Sequence, residues 1–155
     1  MTIAVDIGNT HTSIGIFQNN KFVKKKKIDK KEIEFIFDDF VLDKPEAAVI
    51  ASVAPSKNSI ISKEIESRFG ISPIFVNGEM DLGIKISYKS PKDLGPDRFS
   101  NIFGAKELVE LPLCVIDAGT AITLDVVSKD SEYIGGLIML GISIEAKVLE
   151  EVTEL

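Results

Sequence analysis

A short acidic phrase occurs twice in this chain at a fixed separation. Val5-Asp6-Ile7-Gly8 stands near the start, and Ile116-Asp117-Ala118-Gly119 stands 111 positions later. Each follows an apolar run that reads as a buried strand and leads into a second strand. The continuation is Thr10-His11-Thr12-Ser13-Ile14 in one copy and Thr120-Ala121-Ile122-Thr123-Leu124 in the other, with Thr12 and Thr123 at the same separation. A duplication of this kind constrains the chain to two similar lobes. It predicts two Asp-x-Gly hairpins closing on one phosphate chain, so phosphoryl transfer is the leading chemistry.

The pattern around the first copy is β-β-β-α-β-α-β. Strands are expected at 2–5, 12–17 and 22–28, with Asn19-Asn20 as the hairpin turn because Asn tolerates a left-handed backbone. Asp29 offers an N-cap with Glu32 at the N3 position, and Ile33, Ile36, Phe37, Phe40 and Val41 follow at helical spacing. An apolar run at 47–53 between Pro45 and Pro55 reads as a core strand. Residues 56–69 form a helix with Ile60, Ile61, Ile65 and Phe69 on one face, ended by Gly70, and a strand follows at 74–76. Residues 77–95 look irregular, and Pro96 opens a further helix that stops by Pro112.

From Leu113 the pattern restarts: strands at 113–118, 120–127 and 133–140, then a helix at 142–152 with Ile142, Ala146, Leu149 and Val152 facing inward. The lobes are therefore expected at 1–112 and 113–155. The second copy has no partners for the strands at 47–53 and 74–76. Such a lobe leaves a sheet face and a strand edge uncovered, and it calls for a second chain, a dimer mate or further sequence to cover them. Self-association through the exposed apolar patch is the expected consequence.

Composition narrows the partners. Of 155 residues, 45% are hydrophobic, enough for a real core, and the net charge of −6 disfavours nucleic acid and anionic membrane. Lys24–Lys27 is the one basic run. It lies on a hairpin strand, where lysines discourage edge pairing. Cys114, the single cysteine, sits in an apolar run and reads as an inert buried thiol; one cysteine allows no disulfide framework within the chain, which fits a reducing cytoplasm. No apolar run is long enough to span a bilayer.

Two clusters carry chemistry. Phosphates need converging main-chain donors and a cation. Gly8 permits a close backbone approach, Asn9 and Thr10 add donors, and Asp6 at a strand end is placed to hold magnesium through water. Asp6-Ile7-Gly8-Asn9 alone fits a simple tight turn as well; the second copy, Asp117-Ala118-Gly119-Thr120, favours phosphate. The other cluster is Gly95-Pro96-Asp97-Arg98. Asp97 fits a helix cap, or a base taking a proton from an attacking alcohol. Arg98 fits a solvated surface residue, or a fork for a substrate carboxylate. His11, the single histidine, fits nucleotide contact or a structural role at a strand start.

Together these motifs resemble the type III pantothenate kinases, part of the group sharing the sugar kinase, Hsp70 and actin fold. The resemblance lies in Asp6-Ile7-Gly8-Asn9-Thr10, Ala51-Ser52-Val53-Ala54-Pro55, Tyr88 with Pro91, Gly95-Pro96-Asp97-Arg98, Asp117 to Asp125, and Gly135-Gly136-Leu137-Ile138. The resemblance implies an α/β, ribonuclease H-like (actin-like ATPase) fold with a duplicated β-β-β-α core, its second lobe incomplete. It implies transfer of the ATP γ-phosphate to the primary alcohol of pantothenate, the first step towards coenzyme A. Asp97 would accept the proton, with Tyr88, Gly95, Pro96, Asp97 and Arg98 holding pantothenate. Asp6, Ile7, Gly8, Asn9, Thr10, His11, Thr12 and Ser13, with Thr120, would hold ATP and Mg2+, and Asp117 would bind potassium or ammonium. A cytoplasmic homodimer is implied. The family continues beyond the segment seen here, and Met139-Leu140-Gly141 stands where it has a Pro-Gly pair. The alternative is a truncated or non-catalytic relative that binds nucleotide or a protein partner in a regulatory role.

Overall fold

Alternating apolar residues build the first sheet. In the computed structural model, which describes residues 1–29, 36–37, 44–87 and 90–153, β1 (Thr2–Ile7) buries Ile3, Val5 and Ile7, and β2 (His11–Gln18) buries Thr12, Ile14 and Ile16. The turn to β3 (Lys21–Asp29) is Asn19-Asn20, both left-handed at φ 49° and 60°. Such a backbone matches the twist of a two-residue hairpin, so the asparagines expected there do form it. β4 (Ala47–Ser52) joins β1 in parallel and β5 (Ile74–Phe75) joins β4, giving the order β3-β2-β1-β4-β5. The helix α1 (Pro55–Phe69) starts on Pro55, whose missing N–H is no loss in a first turn. It buries Ile61 and Ile65 and ends on Gly70, left-handed at φ 69° with its N–H 2.9 Å from the Glu66 carbonyl. The helix expected from the Asp29 cap through Val41 lies outside the described residues except Ile36 and Phe37, which are fully buried in this core.

The second sheet has the order β6-β9-β8-β7, from β6 (Lys85–Ile86), β7 (Leu113–Ala118), β8 (Ala121–Val127) and β9 (Glu132–Leu140). Two helices accompany it: α2 (Pro96–Lys106) and α3 (Ile142–Val152). Residues 77–95 are less irregular than expected, holding β6 and a 3-10 turn at Pro91–Asp93. Packing groups Met1–Asn77 with Gly95–Asp97 in one unit, and Gly78–Leu94 with Arg98–Leu155 in the other. This division differs from one at 112/113 because β6 pairs in parallel with β9 and Arg98 on α2 is bonded to β8.

The duplication is visible strand by strand, with one residue moved. Asp6 pairs with Ser13 and Ile7 with Thr12, whereas Asp117 pairs with Thr123 and Ala118 with Ile122. Ser13, rather than Thr12, is therefore the counterpart of Thr123: the second hairpin is one residue shorter. The turn between β8 and β9 is correspondingly longer, with Ser131 left-handed at φ 57° and the Ser128 hydroxyl accepting the Asp130 and Glu132 amides, both at 3.2 Å. Each β2–β3 type ladder then slips at the same place, between Ile16 and Phe17 and between Val126 and Val127, with Val23 and Ile134 as the extra residues.

Two burial expectations fail. Cys114 is exposed, since β7 is the edge of its sheet among the described residues. The α3 face of Ile142, Ala146, Leu149 and Val152 is exposed rather than inward. The helix spacing is correct, but helical periodicity marks an apolar face without supplying a layer to cover it.

Candidate active site

The first turn is tied from three sides. The Gly8 amide donates to the His11 carbonyl at 2.9 Å, the Val53 amide to the Ile7 carbonyl at 3.0 Å, and Lys57 Nζ on α1 to the Gly8 carbonyl at 2.7 Å. Asp6, Asn9 and Thr10 are exposed around it. Lys57 was not singled out by the sequence, since nothing in spacing alone brings the first turn of α1 to a loop 49 residues earlier. The trans peptide sets the Asn9 N–H opposite to the Gly8 C=O. Pinning that carbonyl to Lys57 therefore turns the Asn9 N–H to the other side of the peptide. Close by, Ser52 Oγ lies 2.6 Å from Asn58 Oδ1 and accepts the Ala54 amide at 3.2 Å. His11 Nε2 lies 3.1 Å from Asp29 Oδ1 across the β2–β3 ladder, so the histidine has a structural partner. Thr12 points into the core and Ser13 is half-buried.

The second turn is built differently. The Gly119 amide donates to the Ala121 carbonyl at 2.9 Å, spanning one residue instead of two. Gly141, the N-cap residue of α3, donates its amide to the Thr120 carbonyl at 3.0 Å. A side chain at position 141 would collide with the carbonyls of Gly119 and Thr120, so this glycine is what lets α3 begin against the turn. Asn101 Nδ2 on α2 donates to Asp117 Oδ2 at 2.8 Å, and Asp117 lines a groove of about 410 Å³ with Asn101, Gly104, Leu108 and Val115.

At the start of α2, Asp97 lies in the first turn, where a carboxylate complements the helix dipole. A Cβ at Gly95 would come within 2.6 Å of Asp97 Oδ1, so the glycine leaves room for that carboxylate. Pro96 takes the first helical position. Arg98 is buried rather than solvated, and its guanidinium meets Asp125 through Nε, at 3.0 Å from Oδ1 and 3.2 Å from Oδ2, and through Nη2, at 2.7 Å from Oδ1. Nη2 also donates to Tyr133 Oη at 3.0 Å, and that hydroxyl donates to Asp125 Oδ1 at 2.7 Å. The sequence held a clue to this cluster: Asp125 falls between Thr123 and Val127 on the inward face of β8, and a carboxylate there requires a cation. Tyr88 lies outside the described residues. Its neighbour Ser87 donates its hydroxyl to Glu132, and Lys85 Nζ approaches the same carboxylate at 3.1 Å. The Ser87 bond first, then Lys85, holds the Glu132 carboxyl below the usual carboxylate range.

Among the described residues no group of three or more His, Cys, Asp or Glu side chains converges to hold a metal. A single carboxylate such as Asp6 still fits magnesium, which keeps several waters and takes one or two protein oxygens when phosphates supply the rest. Asp117 likewise presents a hard oxygen donor suited to a monovalent cation.

A two-unit chain with matched β-hairpins and acidic turns defines the actin-like ATPase and sugar kinase fold. A solved chain from Sinorhizobium meliloti described as a 2-dehydro-3-deoxygalactonokinase protein superposes with a TM-score of 0.57 at 10% identity, over 100% of this chain and 58% of that one. Another, from Campylobacter jejuni and described as a Baf family transcriptional activator, gives 0.58 at 20% identity over 98% and 61%. These likenesses establish the fold. The profile of the type III pantothenate kinase family matches residues 2–155, and the chain belongs to that family. It is 36% identical to a type III pantothenate kinase of Desulfatibacillum aliphaticivorans over 96% of this chain and 63% of the relative. It is also 36% identical to one of Sulfurihydrogenibium, over 92% and 61%. The chain thus spans about three fifths of the length of these relatives.

Proposed function

We propose that this chain carries the phosphate and substrate turns of an ATP-dependent pantothenate kinase, which moves the γ-phosphate to the primary alcohol of pantothenate at the first step of coenzyme A synthesis. Membership of the family over residues 2–155 carries this reading. The residues that resemble the family's motifs are present together: Asp6 to Ser13, Asp97, Arg98, Asp117 and Thr120. Asp6, Ile7, Gly8, Asn9, Thr10, His11, Thr12 and Ser13 hold ATP with Thr120, and Lys57 keeps the Gly8–Asn9 peptide in its donor orientation. Asp6 would hold magnesium through water, and the ion would spread the charge of the phosphates. Asp117 takes potassium or ammonium.

Asp97 accepts the proton of the attacking alcohol, a contribution of about 10²- to 10⁴-fold in rate. Gly95 gives the carboxylate space, and Tyr88, Pro96 and Arg98 complete the pantothenate segment. The working form is a cytoplasmic homodimer.

A coupled assay with ATP, pantothenate, magnesium and potassium tests this. Turnover should appear with the unaltered chain and vanish in Asp97→Asn. A regulatory, non-catalytic relative would instead bind ATP without turnover and be indifferent to that substitution. The exposed apolar side chains of β9 and α3 are the observation that favours a binding partner in either case.

A further inference from the structure

The two acidic turns are held by groups of different charge. At the first, the chain supplies a cation: Lys57 Nζ donates to the Gly8 carbonyl at 2.7 Å. At the second, the partner is an uncharged amide. Asn101 Nδ2 donates to Asp117 Oδ2 at 2.8 Å and so joins the middle of α2 to the end of β7. Asn is a middling helix former, because its amide competes for nearby backbone groups. Its place at the centre of α2 is explained by this bond across to the strand.

The groove that holds Asp117 keeps the same distinction. It takes one wall from α2 and the other from β7, and none of its lining residues is Lys, Arg or His. An ammonium donor would fix the carboxylate and also neutralise it. An amide donor fixes it and leaves the charge in place. Carboxylates that bind metals are commonly steadied by such a hydrogen bond, and losing it costs about 10- to 100-fold in metal affinity or activity. Asp117 stands without the company of two further His, Cys, Asp or Glu side chains among the described residues, so a single positive charge is what it can balance.

We propose that Asn101 is a positioning residue for the monovalent cation: its amide engages Oδ2 of Asp117 and leaves Oδ1, with the charge of the carboxylate, to the ion. This rests on the reading of Asp117 as the cation's ligand in a pantothenate kinase. Since α2 also carries Asp97, four residues earlier, the same helix bears the proposed base and the group that aims the cation's carboxylate.

The test uses the full chain with Asn101→Leu, which keeps the volume and removes the donor, Asn101→Ala as a second way to remove it, and Asp117→Ala as the reference without a ligand. Melting temperature is followed against potassium chloride alone, with choline chloride holding the ionic strength constant. An ion that binds only the folded chain raises the melting temperature once its concentration passes the dissociation constant. That onset should move up by about tenfold or more in both Asn101 variants, and the rise should disappear in Asp117→Ala. Turnover of ATP and pantothenate should need correspondingly more potassium in the Asn101 variants and recover when potassium is saturating.

An onset that stays where it is in both Asn101 variants overturns the proposal. A lower melting temperature without potassium, or a turnover loss that saturating potassium does not recover, then assigns Asn101 to helix packing alone. An unaltered chain whose melting temperature ignores potassium removes the cation from Asp117 and overturns the proposal with it. Absence of turnover in the unaltered chain sinks the kinase reading, while the melting series still decides what Asn101 does for Asp117.

Discussion

β1 and β7 hold the same place in the repeated motif and end on the same acidic turn, yet their side chains meet different surroundings. Val5 and Ile7 are 3% and 0% exposed, while Ile116, the counterpart of Val5, is 66% exposed. Their neighbours in the sheet explain this. β1 lies between β2 and β4, with the Ile61–Ile65 face of α1 in the same core. β7 has β8 on one side and, among the described residues, no strand on the other. Equivalent apolar sequence thus becomes core in one unit and open edge in the other. Burial belongs to what is packed against a strand, and alternation only declares which face is ready for it.

The sharpest way to break this comparison is to truncate both sides of it. Ile7→Ala should cost about 2–5 kcal/mol in urea unfolding, the range for a buried aliphatic deletion. Ile116→Ala should stay within about 0.5 kcal/mol, as surface changes do. A comparable loss at both positions would show that a partner already covers β7. Repeating Ile116→Ala across a concentration series sharpens the point, since an effect that grows with concentration locates self-association on that edge.

A second pair contrasts the hairpins. Gly136→Ala should destabilise by about 1–3 kcal/mol, because the new methyl has no room beside the Arg98–Asp125 pair. Lys25→Ala, at the matching position of the first unit, should be close to neutral, because its side chain is exposed. Equal responses would mean that the two hairpins are more alike than their cross-strand pairs indicate.

The smallest effect is one of pH. Glu132 titrates below its ordinary value in the folded chain, so its contribution is present above the unfolded pKa of about 4.3 and lost as pH falls through the lower folded value. Ser87→Ala should remove most of that dependence and leave stability at neutral pH nearly unchanged. An unaltered acid limb in Ser87→Ala would assign the dependence to other carboxylates.

Much of the fold was legible. The strands at Leu113–Ala118 and the helix Ile142–Val152 match the residues expected from periodicity, and Asn19-Asn20 does form the two-residue turn. Local rules suffice in such places, because a left-handed turn or an alternating strand is decided by a few adjacent residues. The short strand Lys85–Ile86 escaped notice because two residues carry no period, and only the pairing with Glu132 and Tyr133 makes them a strand. Thr12 and Thr123 looked equivalent because a fixed separation hides compensating changes in two turns.

The candidate site was legible as a set of residue types and less so as a set of partners. Asp6, Gly8, Asp97 and Asp117 stood out because their motifs are local and recur. Lys57 on the Gly8 carbonyl and Asp125 with Tyr133 on Arg98 required tertiary structure, because each joins segments that the sequence keeps far apart. The sequence by itself determined the duplicated hairpin, the acidic turns and the glycines that permit close backbone approach, since these follow from steric rules within a few residues. Tertiary structure alone decided which apolar faces are covered and where the guanidinium of Arg98 is committed, since burial and ion pairing depend on groups brought together only when the chain folds.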